Sequence, residues 1–286
     1  MTGFFPAIFV ILWSSAFISS KVMMADATPF ITLSLRFALV FICFAAFTAL
    51  KREFQKLPAR AIGEAALTGI LFHGMYLGGV FYAQANGMSA GMSALIVSLH
   101  PIITAVLAGP LLGERLGLKG WLGLFLGLTG ASLVLYDKLD GSVAYMAFVA
   151  TSVSLCAVTA GTLLQRKNRA QMPLSLNNSI QALAAMLFLM VVTASIETPS
   201  LSLTLPFTIA FLWQTLVVSL GAFTILMFLL KHGEAARTSA LFFLVPPTSA
   251  GLSWLILGEV MGWDDLLGLG IATVGVFLTT RQPKPA

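Results

Sequence analysis

Within the apolar stretches of this sequence, a small set of side chains can do chemistry: Trp13, His73, Tyr76, Ser93, His100, Thr104, Gln181 and Ser249. Hydroxyls, an amide, two imidazoles and aromatic faces suit reversible binding of a small neutral or zwitterionic solute. They do not suit covalent catalysis. No His-x-x-x-His and no aspartate pair deep in an apolar run occurs. Ser93 and His100 share a helical face, but seven residues is about 10 Å of rise, a long reach for a nucleophile and its base. No phosphate-cradling G-x-x-x-x-G-K-S/T loop is present, so ATP is not the direct energy source. No metal and no cofactor is expected.

Ionisable groups in hydrocarbon cost about 2.5–3.5 kcal/mol each on insertion scales, so they point to function by default. His73 and His100 are the deep ones. Solute or proton handling and a hydrogen-bonded interhelical clamp both stay open for them. Arg36 lies about two turns inside its apolar run, where a long side chain can snorkel or pair, and a structural clamp is expected. Glu114 and Glu259 each follow a glycine at a helix end, and a turn-fixing role is expected. Pro101 and Pro246 fall in mid-span. A mid-helix proline removes a backbone hydrogen bond and frees a carbonyl. At membrane depth that is tolerated where protein or a water-filled cavity covers the freed group, so both prolines are expected to line a cavity.

The elements that position these groups follow from composition. Of 286 residues, 58% are hydrophobic and 9% are charged. Soluble domains carry about 25% charged residues. This chain cannot cover a water-facing surface of its size, which excludes a soluble enzyme, a nucleic-acid binder and a disordered protein. The net charge of +5 does not restore nucleic acid as a partner, because the basic residues form no patch. Crossing the hydrocarbon takes about 20 apolar residues. Ten such spans are read near 4–21, 29–50, 65–86, 90–112, 119–136, 143–165, 174–196, 207–230, 237–258 and 264–281. Their continuous runs specify helices, not an alternating barrel. The first run has no preceding Lys or Arg and no cleavage site, and is expected to be retained. Cys43 and Cys156 sit in apolar runs and are expected to be small buried hydrophobes.

Helical spacing sorts side chains into stripes. Trp13, Ala16, Phe17 and Ser20 align in span one. His73 and Tyr76 align with Gly69, Val80 and Ala83 in span three, with Tyr82 pointing nearly the other way. Span four gives Ser93, Val97, His100 and Thr104; span nine gives Thr238, Phe242, Val245 and Ser249. Span six gives Ser152, Thr159 and Thr162, and span seven gives Asn177 and Gln181. Gly123, Gly127 and Gly130 in span five, with Gly268, Ala272 and Gly275 in span ten, form small-residue faces expected to pack against each other within one molecule, with a dimer contact as the alternative.

Loop charge sets orientation. One side holds thirteen of the sixteen basic residues, Lys51 and Arg52 through Lys284. The other side holds Lys21 and Lys138, and Arg36 is inside span two. Both termini are therefore expected in the cytoplasm, in a bacterial inner membrane.

The chain also resembles itself at a shift of 145 residues. Pro101–Tyr136 falls on Pro246–Arg281 without a gap, with twelve of 36 positions identical. The matches include Leu112-Gly113-Glu114 on Leu257-Gly258-Glu259, Gly117 on Gly262, Gly123 on Gly268 and Gly130 on Gly275. Each half (1–139 and 140–286) has five spans. Five is odd, so the second half enters the membrane from the opposite face. Inverted duplication with matched helix interruptions is a transporter signature. The fold expected is all-α and integral to the membrane, ten helices in two inverted five-helix repeats around a central cavity.

These repeated Leu-Gly-Glu elements, with Leu12-Trp13-Ser14-Ser15 in span one and Leu35-Arg36-Phe37 in span two, resemble the drug/metabolite transporter superfamily, EamA type, over nearly the whole chain. The resemblance implies ten helices, a cytoplasmic N-terminus and export of small organic solutes. Aromatic amino-acid exporters of the YddG type are the comparison for substrate. The small four-helix branch of the superfamily carries a carboxylate in span one for cationic drugs, where this chain has Leu12-Trp13-Ser14-Ser15. The implied function is a secondary exporter of aromatic or neutral amino acids, in the lipid bilayer, as monomer or homodimer. A broad drug exporter and a channel are the alternatives.

Overall fold

The computed structural model describes residues 4–86, 88, 96–114, 116–135, 145–167, 172–257 and 262–280. Ten helical rods run through them: α1 (Phe5–Met23), α2 (Pro29–Leu50), α3 (Ala59–Ala85), α4 (His100–Leu112), α5 (Leu118–Leu135), α6 (Tyr145–Lys167), α7 (Leu174–Ile196), α8 (Leu205–His232), α9 and α10 (Trp263–Thr280). The ninth rod is segmented into Ala235–Ala240, a 3-10 turn Leu241–Leu244, and Val245–Leu257. Only α2, α3, α6, α7 and α8 are long and apolar enough to cross a bilayer by themselves, and the remaining described helices are shorter and apolar. Helices suit this environment because every backbone bond closes within the segment. Pro29 opens α2, and Pro58, Pro173 and Pro206 stand at the starts of α3, α7 and α8. There a missing N–H removes no helical bond. Gly113 ends α4 in the left-handed region, at φ 71°, which only glycine adopts without cost.

Equivalent helices of the two halves pack against each other, α2 on α7 and α5 on α10. Both pairs run antiparallel. Glu197, past the C-terminal end of α7, accepts from the amides of Phe30 and Ile31 at the start of α2, at 3.0 and 2.8 Å. Glu53, past the C-terminal end of α2, accepts from the Ser175 hydroxyl at the start of α7. Each carboxylate lies where orphan N–H groups and the helix dipole favour an anion. In the α5–α10 seam Gly123 faces Gly275 and Thr279, whereas Gly130 faces Gly268 and Ala272. A Cβ at either glycine would collide with backbone. This crossed order makes the two halves inverted, and the small-residue faces close the molecule on itself.

The irregular segments repeat too. A π-helical turn occupies Ile70–Met75 in α3, and Trp213–Ala222 in α8 spans the equivalent positions. The final straight helices of α4 and α9 begin at His100 and Val245, 145 residues apart. Pro101 and Pro246 are the second residues of these helices and not mid-helix kinks. The helix restarts at the proline, so no carbonyl is freed in a continuous rod.

Apolar side chains cover the outside as well as the core: Phe125, Leu187, Val191, Ile209 and Trp254 are all exposed. Cys156 is exposed among them and Cys43 is half-buried, which corrects the expectation that both are buried. A lipid-facing wall needs the same apolar residues as a core, so an apolar run does not distinguish the two.

Candidate functional site

Two adjoining cavities lie between α1, α3, α4, α8 and α9, with about 400 and 570 Å³ of empty space. Trp13, Phe17, Tyr76 and Val80 line both. The first is completed by Val97, Ser98, His100, Phe242, Val245 and Pro246. The second is completed by Arg36, His73, Gln84, Gln214, Ser219 and Phe223, among others.

The wall is built by helical spacing. Trp13, Ala16, Phe17 and Ser20 of α1 all face the second cavity. The Trp13 indole packs on Phe9 and Phe242 at 5.2 and 5.4 Å between ring centroids. His73, Tyr76, Leu77 and Val80 come from the π turn of α3 and the helix after it. The His73 ring lies 4.2 Å from Phe223 and 4.7 Å from Phe37. Tyr82 instead stacks on Phe30, away from the cavity. His100 is fully buried. Its Nδ1 is 3.3 Å from the Val97 carbonyl and its ring stands edge-on to Phe242 at 4.7 Å. His100 Nε2 has no hydrogen-bond partner among the described residues.

Polar contacts connect α2, α8 and α1 across the second cavity. The Arg36 Nε donates to Ser219 Oγ at 2.8 Å, and that hydroxyl donates to the Gln214 carbonyl at 3.1 Å. The Gln214 side-chain amide donates to the Ala16 carbonyl at 2.7 Å. Arg36 is buried and also lies 5.5 Å over the Phe37 ring. It bridges two halves of the chain, as a clamp does, and it lines the cavity as well.

Trp13, His73, Tyr76, His100 and Pro246 thus meet at the cavities. Thr104 and Gln181 are buried but line neither. Thr104 Oγ1 is unpartnered among the described residues. Gln181 and Asn177 donate to Gln165 at 2.7 and 3.3 Å, an amide cluster between α6 and α7. Ser249 donates to the Ser14 carbonyl at 3.2 Å, and Ser14 donates to the Val245 carbonyl at 3.3 Å, so this pair forms the α1–α9 seam. Pro101 also lines neither cavity. Thr159 and Thr162 are buried, whereas Ser152 lies with Cys156 on an outward groove. Ser93 and Glu259 lie outside the described residues.

Glu114 does more than fix a turn. One carboxylate oxygen accepts from Arg166 Nε at 2.7 Å and the other from the Ala235 amide at 2.8 Å. Arg166 Nη1 also donates to the Leu230 and Lys231 carbonyls at 3.3 and 3.4 Å. One ion pair therefore joins the ends of α4, α6, α8 and the start of α9.

Sequence reasoning missed the contribution of α8: Gln214, Val218, Ser219 and Phe223. The available signal was Gln214 and Ser219 within an otherwise apolar span. No metal-binding cluster of His, Cys, Asp or Glu occurs among the described residues. Among the described residues, no acidic side chain lines either cavity. The chemistry on offer is aromatic contact, hydrogen bonding and one cationic group.

A model of the EamA-like transporter family matches residues 2–136 and again 144–281. An uncharacterized transporter of Archaeoglobus fulgidus is 25% identical over 96% of this chain and 97% of its own. A probable amino-acid metabolite efflux pump of Escherichia coli is 24% identical, over 96% and 93%. The uncharacterized inner membrane transporter YedA of Escherichia coli is 24% identical, over 96% and 90%. A crystal structure superposes with a TM-score of 0.83 at 17% identity, covering 98% of this chain and 96% of that one, which shows the shared fold. With a family match over both halves, this multi-pass membrane protein belongs to the EamA-like transporter family and is a transporter of small molecules, not an enzyme.

Proposed function

We propose that the protein exports small organic metabolites, foremost amino acids with aromatic or neutral side chains, by alternating access. The moving units are the halves 1–139 and 140–286. Both termini face the cytoplasm in a bacterial inner membrane; the distribution of Lys and Arg supports this orientation. The carrying observation is the position of the cavity. It lies where the π turns of α3 and α8 meet the restarted helices of α4 and α9. Matched interruptions of inverted repeats are where such carriers hold their cargo. The aromatic lining supports an apolar side chain, and the similarity to a probable amino-acid metabolite efflux pump of Escherichia coli supports amino-acid cargo.

Counterflow in proteoliposomes tests this. Vesicles are preloaded with unlabelled phenylalanine or threonine, and uptake of the labelled form is followed. Saturable uptake accelerated by the preload is expected. No uptake of any amino acid would sink the cargo assignment.

A further inference from the structure

We infer that Arg36 is the receptor for a carboxylate on the cargo, and that Gln214 beside it takes a cargo N–H. This deepens the proposed function and rests on it. Arg36 is 5% exposed, and among the described residues no carboxylate pairs with it. Among the described residues it makes contact through Nε and the cationic face alone, toward Ser219 and Phe37. The two Nη groups, the fork that grips a carboxylate in two parallel bonds, are uncommitted. None of the described residues lining the cavity with it is acidic. A guanidinium buried without a counter-ion is strongly unfavourable, so the site is electrostatically incomplete until an anion enters.

The second observation is independent. Gln214 is 1% exposed and lines the same cavity, and its Oε1 has no partner among the described residues. Its orientation is fixed, because the amide nitrogen is needed for the Ala16 carbonyl at 2.7 Å. The oxygen is left as an unmet acceptor. Ser219 ties the two residues together, accepting from Arg36 and donating to the Gln214 backbone carbonyl. One unmet cationic donor and one unmet acceptor on residues lining one cavity complement a carboxylate and an ammonium on a single carbon. Trp13, Phe17 and Phe223 supply the apolar surface next to them. An organic cation lacking a carboxylate meets only repulsion from Arg36.

The test uses wild-type protein in detergent and binding of four probes that share one ring: phenylalanine, phenylalaninamide, phenethylamine and 3-phenylpropionate. Phenylalanine is expected to bind tightest. The amide and the amine, lacking the carboxylate, should bind roughly 30-fold or more weaker, as for loss of one partner of a buried charged pair. 3-Phenylpropionate, lacking only the ammonium, should fall between. Arg36→Gln should abolish the preference for acid over amide, and Arg36→Lys should restore part of it. Gln214→Leu should narrow the gap between phenylalanine and 3-phenylpropionate. Amide or amine binding as well as phenylalanine in the wild type overturns the inference and leaves the transporter reading intact. A thermal response to chloride equal to that of the acids overturns it too, since Arg36 is then a halide site. If neither phenylalanine nor threonine binds, the proposed function falls and takes this inference with it.

Discussion

Replacing Glu114 with Ala removes the anion that joins four helix ends. Its partner Arg166 keeps its charge, with a side chain only 11% exposed and two long carbonyl bonds of 3.3 and 3.4 Å remaining. Breaking one side of a buried pair costs about 3–5 kcal/mol, chiefly through the stranded charge. The slight exposure puts this case at the lower end, about 3 kcal/mol. The Ala235 amide loses its acceptor as well, which costs about 1 kcal/mol, as for a lost helix cap. Arg166→Met is milder, about 2 kcal/mol, because the Glu114 carboxylate keeps the Ala235 amide and the start of α9. In the double variant no charge is stranded, and the loss should fall to about 2 kcal/mol. The sum of the singles is about 6 kcal/mol, so the expected coupling is about 4 kcal/mol. Thermal unfolding of the four proteins in one detergent reads the cycle, at roughly 2–4 °C per kcal/mol for a chain of this size. Additivity within about 0.5 kcal/mol would refute the reasoning, because uncoupled sites add that closely.

Two further outcomes follow from packing and from the cavity wall. Gly130→Val places side-chain atoms on the backbone of Gly268 and Ala272 and should lower stability by about 3 kcal/mol, whereas Gly63→Ala, with open space around it, should be neutral or stabilise by up to about 1 kcal/mol; equal unfolding temperatures for the two variants would contradict the α5–α10 seam. Tyr76→Phe removes a hydroxyl from the wall shared by both cavities and should raise the counterflow KM about tenfold, the effect of losing one hydrogen bond to cargo; an unchanged KM would remove Tyr76 from the binding wall.

Much of this architecture was legible because lipid leaves few choices. Continuous apolar runs had to be helices, and the 145-residue self-match had to be an inverted repeat once each half held an odd number of spans. The stripes of α1 and α3 were legible for the same reason, since Trp13, Phe17, His73 and Tyr76 stand at helical spacing. The lining from α8 was not. Its π turn changes the local period, so Ser219 bonds to the carbonyl five residues back, not four. Gln181 was drawn toward the cavity because a buried amide in an apolar helix needs a partner. Its partner is Gln165 on a neighbouring helix, and pattern alone does not choose between a ligand and a second amide. Arg36 was read by depth as a clamp. That it also faces the cavity depends on Ser219, 183 residues away in the chain.

Alternating access is tested most directly at Val80, which lines both cavities without carrying charge. In protein with Cys43 and Cys156 replaced, Val80→Cys would be labelled by a membrane-impermeant thiol reagent from each side of oriented vesicles. The account predicts reaction from both sides, slowed by saturating cargo. It also predicts that adding Glu114→Ala raises labelling from the Glu114 end and lowers it from the other. Labelling that rises from both sides at once is the behaviour of an open pore and would contradict the account.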